Sequence, residues 1–302
     1  MTGYCFTLFG RFSARYDDAF LSDIERGKAQ EIISYLLLNR HQTHHRENLS
    51  ALFWGDFTTV QSKKYLRQTL WQLQKALDRA NGHGPRLLSI QPEWIDFNTQ
   101  ASIWVDVEVF EQSFGHLKNI QGGTLSQDQV QTLKAAVDLY TGQLLQGWYY
   151  DWCVFERDRL EGMYLLLLDK LMDYCEAAQE YDEGVSYGVR ILRYDRAREI
   201  THRRLIRLFY LAGDRTAALH QYKRCADSLQ EELGVSPAAR TLELYEHVRA
   251  DRWETVMNFG EMATPLRHTL ERLNQVQAVL NDIQDLVKEE IGSIQHLIQP
   301  DQ

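Results

Sequence analysis

No stretch of this 302-residue chain reaches the ~18 consecutive apolar residues that a membrane-spanning helix requires. Its first residues, MTGYCFTLFGRFSARYDD, lack the basic start and long apolar core of a secretory leader. Cysteine is scarce. Cys5, Cys153, Cys175 and Cys225 stand far apart, with neither a C-x-x-C pair nor a zinc-ligand spacing. They read as thiols of a reducing cytoplasm, so a cytoplasmic protein without disulfides or bound metal is expected. Signatures of nucleotide and zinc-hydrolase chemistry are also missing: no G-x-x-x-x-G-K-S/T, no G-x-G-x-x-G and no H-E-x-x-H occurs. Neither an enzymatic activity nor a cofactor is expected.

A chain-wide basic excess is absent too, since the formal net charge is −9. The charge is unevenly spread. Residues 1–100 hold 12 Lys and Arg against 10 Asp and Glu, a net of +2, and the remainder carries −11. Any electrostatic footprint for a polyanion therefore lies in the first hundred residues. The acidic remainder should be kept away from phosphates.

What is present begins with alternation. Tyr4 to Tyr16 interleaves apolar and polar groups, which predicts one or two short strands before a turn at Asp17–Asp18. Gly27 to Asn39 has Ala29, Ile32, Ile33, Leu36 and Leu37 on one side of a first helix. Arg46 to Trp54 is a second, short helix that Gly55 ends. Arg86 to Phe97 reads as two strands around Gln91–Pro92–Glu93. His41, His44 and His45 share a polar loop, but they lack a carboxylate or cysteine at a ligand spacing.

Between the second helix and the hairpin lies Gln61 to Asp78, QSKKYLRQTLWQLQKALD. Leu66, Leu70, Leu73 and Leu77 fall on one face of a helix. At ~100° per residue, Lys64, Gln68, Trp71, Gln72 and Lys75 project from the other face, with Arg67 on its flank. Cations, amides able to pair bidentately with a base edge and one large aromatic suit the major groove of DNA. A solvated amphipathic helix with idle Lys and Gln is the other reading. Strands, three helices and a terminal hairpin are the order of a winged helix-turn-helix, whose third helix enters the major groove.

Residues 1–100 resemble the OmpR/PhoB-type winged helix, through LLLN, RENLSALFWGD, LRQTLWQLQKAL, RLLSI and IDFN. The order of these motifs is similar to regulators with a bacterial transcriptional activator domain, of which the Streptomyces antibiotic regulatory proteins are best known. Gln72 and Gln74 stand where that family commonly has arginines, which removes two guanidinium donors. The resemblance implies Lys63, Lys64, Arg67, Gln68, Trp71, Gln72, Lys75 and Arg86 as DNA contacts.

After Asn98 the sequence turns acidic, and Ile103 to Phe114 resembles the family's lead into its second domain. Ser126 to Tyr140 is expected to be helical. Trp148, Tyr149, Tyr150 and Trp152 form an aromatic cluster that reads as junction packing in preference to a ligand platform. Further on, Leu171 and Leu205, Ala178 and Ala212, Val185 and Leu219, and Ile191 and Cys225 each match at 34 residues. That is the period of the tetratricopeptide helix pair, although Tyr194–Arg196 lacks the usual closing proline. Gln230 to Arg249 is similar to the end of the activator domain, where G-V-x-P-x-x-x-T-x-x-L-Y is the usual form. Residues 101–250 are thus expected to be a tetratricopeptide-like activator domain.

Residues 251–302 should form a C-terminal helix entered at Thr264–Pro265. Leu266, Leu270, Leu273, Leu280, Val287, Ile291 and Ile294 give it a heptad-spaced apolar seam. A homodimer or helical bundle is the preferred reading, and packing back onto the repeat domain is the alternative. The family resemblance does not cover this tail.

The expected fold is mostly α, a winged helix-turn-helix followed by helical repeats and a long helix. The resemblance implies a transcription regulator, an activator, whose partners are double-stranded DNA and RNA polymerase or another regulatory protein. The competing reading is an interaction scaffold with a degenerate winged helix that works within a protein complex.

Overall fold

A computed structural model describes residues 3–82, 84–98 and 100–252. The chain divides into two compact units, Met1–Glu180 and Tyr181–Gln302. The heptad residues Leu266 to Ile294 lie outside the described residues.

The first unit opens with β1 (Tyr4–Thr7), β2 (Ser13–Tyr16) and β3 (Ala19–Phe20). Alternation places Tyr4 and Phe6 in the core while Cys5 and Thr7 are half-buried. Asp17, at φ 51, turns the chain between β2 and β3. Then come α1 (Gly27–Leu38), β4 (His44–His45), α2 (Arg46–Trp54) and α3 (Thr59–Asn81), followed by the hairpin β5 (Leu88–Ile90) and β6 (Trp94–Phe97). Ile32, Ile33, Leu36 and Leu37 are the buried side of α1, as its periodicity predicts. β4 pairs antiparallel with β6, so the second sheet runs β4-β6-β5.

A seventh strand, β7 (Ile103–Val105), closes the first sheet in the order β3-β2-β1-β7 and lies parallel to β1. α4 (Asp106–Leu117), α5 (Gln127–Leu139) and α6 (Asp151–Ala177) complete the unit. Asp106 fixes this junction. Its buried carboxylate accepts from the backbone N–H groups of Leu8 (2.8 Å), Phe9 (2.9 Å) and Val107 (2.7 Å). Burial pushes that carboxyl up to about 6, and the three N–H donors hold it down only in part.

Aromatic contacts continue the joint. Phe9 meets Phe110 of α4 edge-on at 5.2 Å and Tyr140 at 4.8 Å, and Tyr140 stacks on Tyr164 of α6 at 4.1 Å. From α1, Tyr35 packs edge-on against Trp152 at 5.4 Å. The aromatic cluster is therefore packing in part: Trp152 also contacts Trp148 and Tyr150. Tyr149, 84% exposed, stays outside that packing.

In the second unit, α7 (Tyr181–Leu192), α8 (Glu199–Leu211), α9 (Arg215–Leu233) and α10 (Ala239–Arg249) follow one another through short turns. Ile206, Tyr210, Ala218, Leu244 and Val248 form a buried cluster there. Tyr222 stacks on Tyr245 at 4.1 Å beside it. His202 is buried, with Nε2 2.8 Å from the Arg196 carbonyl and Nδ1 2.8 Å from Gln221 Nε2. Those partners require a neutral ring donating from Nε2 and accepting at Nδ1.

The 34-residue period reaches into backbone detail. Ala178, Gln179 and Glu180 donate to Tyr174, Glu176 and Cys175, and Ala212, Gly213 and Asp214 repeat those steps on Leu208, Tyr210 and Phe209. Gln179 and Gly213 both take the left-handed conformation, at φ 60 and φ 85. Gly234 ends α9 the same way, its N–H reaching Gln230 while Val235 reaches Leu229. The fold is mostly α, an N-terminal winged helix-turn-helix and then a helical repeat region.

Candidate nucleic-acid interface

Local chemistry starts α3 at Thr59, since the Thr58 hydroxyl accepts from the Gln61 N–H and so caps one of the first turn's unpaired donors. Ser62 then donates 2.8 Å to the Trp54 carbonyl at the end of α2, clamping the turn between the two helices. Leu66, Leu70, Leu73 and Leu77 are buried on the core side. At the far end, Gly82 takes φ 60 and returns its N–H to Asp78.

The opposite face is free. Lys64, Arg67, Gln68, Trp71, Gln72 and Lys75 are all exposed. The side chains of Lys64, Arg67, Gln68 and Gln72 make no hydrogen bond or ion pair among the described residues. Trp71 is 62% exposed, and the Lys75 ammonium sits 4.9 Å from its ring centroid. Such a cation–π contact holds two otherwise flexible side chains together at the surface.

Other sequence-selected residues stand elsewhere. Lys63 is bound to Glu47 of α2, which holds that carboxyl below the ordinary carboxylate range. Arg86 lies 3.4 Å from Asp78, beside the C-terminal end of α3. Gln74 is half-buried and donates 2.6 Å to Asp78. Hence Lys64, Arg67, Gln68, Trp71, Gln72 and Lys75 form one face, while Lys63 and Arg86 are already committed to carboxylates.

The hairpin has its own support, which sequence reasoning did not single out. Arg46 donates to the carbonyls of Gln91 (3.1 Å) and Pro92 (3.3 Å), fixing the turn of the wing. Exposed Trp94 packs edge-on against His45 at 4.8 Å. No spacing in the sequence marks that contact, since Arg46 and the turn it holds lie 45 and 46 positions apart. The histidine loop is structural: His44 bonds to the Asn39 carbonyl and His45 caps α2.

Gly184-Val185-Ser186-Tyr187-Gly188 has the spacing G-x-S-x-G. It lies within α7 and not at a strand-to-helix elbow, so Ser186 lacks the strained presentation that a nucleophile of that class needs.

Residues 105–249 match the family described as "Bacterial transcriptional activator domain". A solved structure of Mycobacterium tuberculosis EmbR, in complex with a low-affinity phosphopeptide, is similar in fold. Its TM-score is 0.65 at 18% identity, over 88% of this chain and 72% of that one. No significant match arises among curated protein sequences. Among the described residues, no helix is long and apolar enough to cross a membrane.

Proposed function

We propose that this chain, whose residues 105–249 match the bacterial transcriptional activator domain, is a transcription regulator that binds duplex DNA and activates transcription. One observation carries the reading: α3 turns its leucines inward and leaves cations and amides outward without protein partners. An α-helix of this kind fits the major groove, with Lys and Arg on phosphates and amides on base edges. The helical repeats serve protein contacts, with RNA polymerase or another regulatory protein as partner. The activity is regulatory and not enzymatic, in the cytoplasm. A homodimer built through residues 251–302 belongs to the same proposal.

The test is binding of the full chain to genomic fragments at several salt concentrations. Salt-sensitive binding near physiological ionic strength supports the reading, and its absence sinks it. Arg67→Ala and Lys75→Ala should weaken binding with the fold retained. Unchanged affinity in both removes α3 from the interface.

A second reading, a tetratricopeptide-like scaffold with a degenerate winged helix, draws support from Lys63 and Arg86. Both cations are already paired with carboxylates. It predicts a stable protein complex recovered from cells after nuclease treatment, from a chain that binds no DNA.

A further inference from the structure

We infer that the free face of α3 reads A·T base pairs, with Gln68 and Gln72 on adenine edges and Trp71 on thymine methyl groups. The inference rests on the proposal that α3 enters the major groove, and adds what it recognises there.

The chemistry on this face is selective. A primary amide offers one donor and one acceptor side by side, which matches adenine N7 and N6 as a bidentate pair. Guanine presents two acceptors, which call for a guanidinium or an ammonium. On the Lys64–Lys75 face of α3 the polar groups without protein partners are two amides, Gln68 and Gln72, with Lys64 and Arg67. Four residues apart on one ridge, the two amides are separated by ~6 Å along the helix axis. That is close to two base steps of ~3.4 Å, so the amides can address pairs two apart.

The neighbours narrow the choice. Lys75 is engaged by the Trp71 ring beyond Gln72 and Lys64 stands a full turn before Gln68, so neither ammonium lies between the two amides. Arg67 lies about 100° from Gln68 and about 140° from Gln72, so with the two amides facing the bases it meets the phosphate wall. Trp71 is left with an exposed apolar edge, one turn beyond Gln68. Val60, 80% exposed, lies on the same side at the start of the helix. Apolar edges in the major groove find one apolar partner, the 5-methyl group of thymine.

The experiment selects duplexes with the full chain from a random library, then measures affinity for the selected site by fluorescence anisotropy. A·T pairs two steps apart are expected at its core. Replacing the paired adenines one at a time with 7-deazaadenine, which lacks the N7 acceptor, should weaken binding about tenfold. Gln68→Ala should weaken binding similarly and abolish the sensitivity to one of the two replacements. Deoxyuridine in place of thymine should weaken binding about threefold, and Trp71→Ala should cancel that effect.

A selected core of G·C pairs, or full affinity for both 7-deazaadenine sites, overturns the inference while leaving DNA binding intact. Enrichment of no duplex at all overturns both it and the proposed function.

Discussion

The Arg40 guanidinium, at the end of α1, lies 3.2 Å from the Glu108 carboxylate in the first turn of α4. Arg40 is nearly enclosed there, and its Nη1 also donates 3.0 Å to the Leu37 carbonyl. The Nε–H is not aligned on the carboxylate, so the contact is an ion pair more than a hydrogen bond. Breaking one half of an enclosed pair strands the other charge. Arg40→Ala should therefore destabilise the first unit by about 2 kcal/mol, between exposed and fully buried pairs. Tryptophan fluorescence in a denaturant titration reports this, because six of the seven tryptophans precede residue 181.

Asp106 supports a second prediction. Asp106→Ala leaves buried backbone N–H groups of Leu8 and Phe9 without their acceptor and should cost about 3 kcal/mol. Its titration has a definite sign. The folded value of about 6 lies above the ordinary 3.8, so the folded chain binds the proton more tightly. This contribution to stability is fully present below pH 3.8 and lost as pH rises through about 6. A carboxyl resonance followed by NMR between those values checks the direction.

His202 behaves in the opposite sense. Burial lowers its affinity for a proton, and the Arg196 carbonyl offsets that only in part. The unfolded chain then binds the proton more readily, so stability is full above the ordinary histidine value of ~6.5 and declines as pH falls below it. Unfolding of the full chain at pH 7 and pH 5 should show the loss in the transition of the second unit. A His202→Gln variant with the same slope as the parent would refute the assignment.

Gln179 occupies a conformation that glycine fills 34 residues later. Gln179→Gly should raise stability by about 1 kcal/mol, the strain of a side chain in the left-handed region less the added freedom of the unfolded chain. The reciprocal change, Gly213→Gln, should lower it by a similar amount. Thermal unfolding of both variants decides this.

On α3, the paired and unpaired lysines should separate. Lys64→Ala is expected to reduce the salt slope of DNA binding by about one. Lys63→Ala should change it less, because Glu47 already neutralises that ammonium. Glu47→Gln should strengthen binding by freeing Lys63 and removing a negative charge from the interface. Salt titrations of the three variants suffice.

Much of this was legible because the signals are local. α2 runs Arg46–Trp54, the bounds set by its polar start and by Gly55. α3 extends the leucine-defined stretch at both ends, since Thr58 caps a turn earlier and Gly82 stops the helix later. The 34-residue pairs survive as matched burial, with Leu171, Leu205, Ile191 and Cys225 all fully enclosed. β7 was not legible. Its pairing with β1 joins residues about a hundred positions apart and depends on a carboxylate capturing two backbone N–H groups. Nor could spacing reveal that Lys63 and Arg86 are occupied, because their partners lie on other turns and elements.

The strand β7 bears on how such a protein can be cut, shuffled or inherited. A fragment ending at residue 100 would forfeit the strand that covers β1 and the aspartate that holds Leu8 and Phe9. It would present a bare strand edge, the usual seed of aggregation. Grafting this winged helix onto another effector therefore means carrying Ile103 to Asp106 along with it. Recombination between relatives should eliminate crossovers that fall between the wing and β7, and tolerate best those that fall beyond α6, because residues 8–10 also bond to residues 143–146.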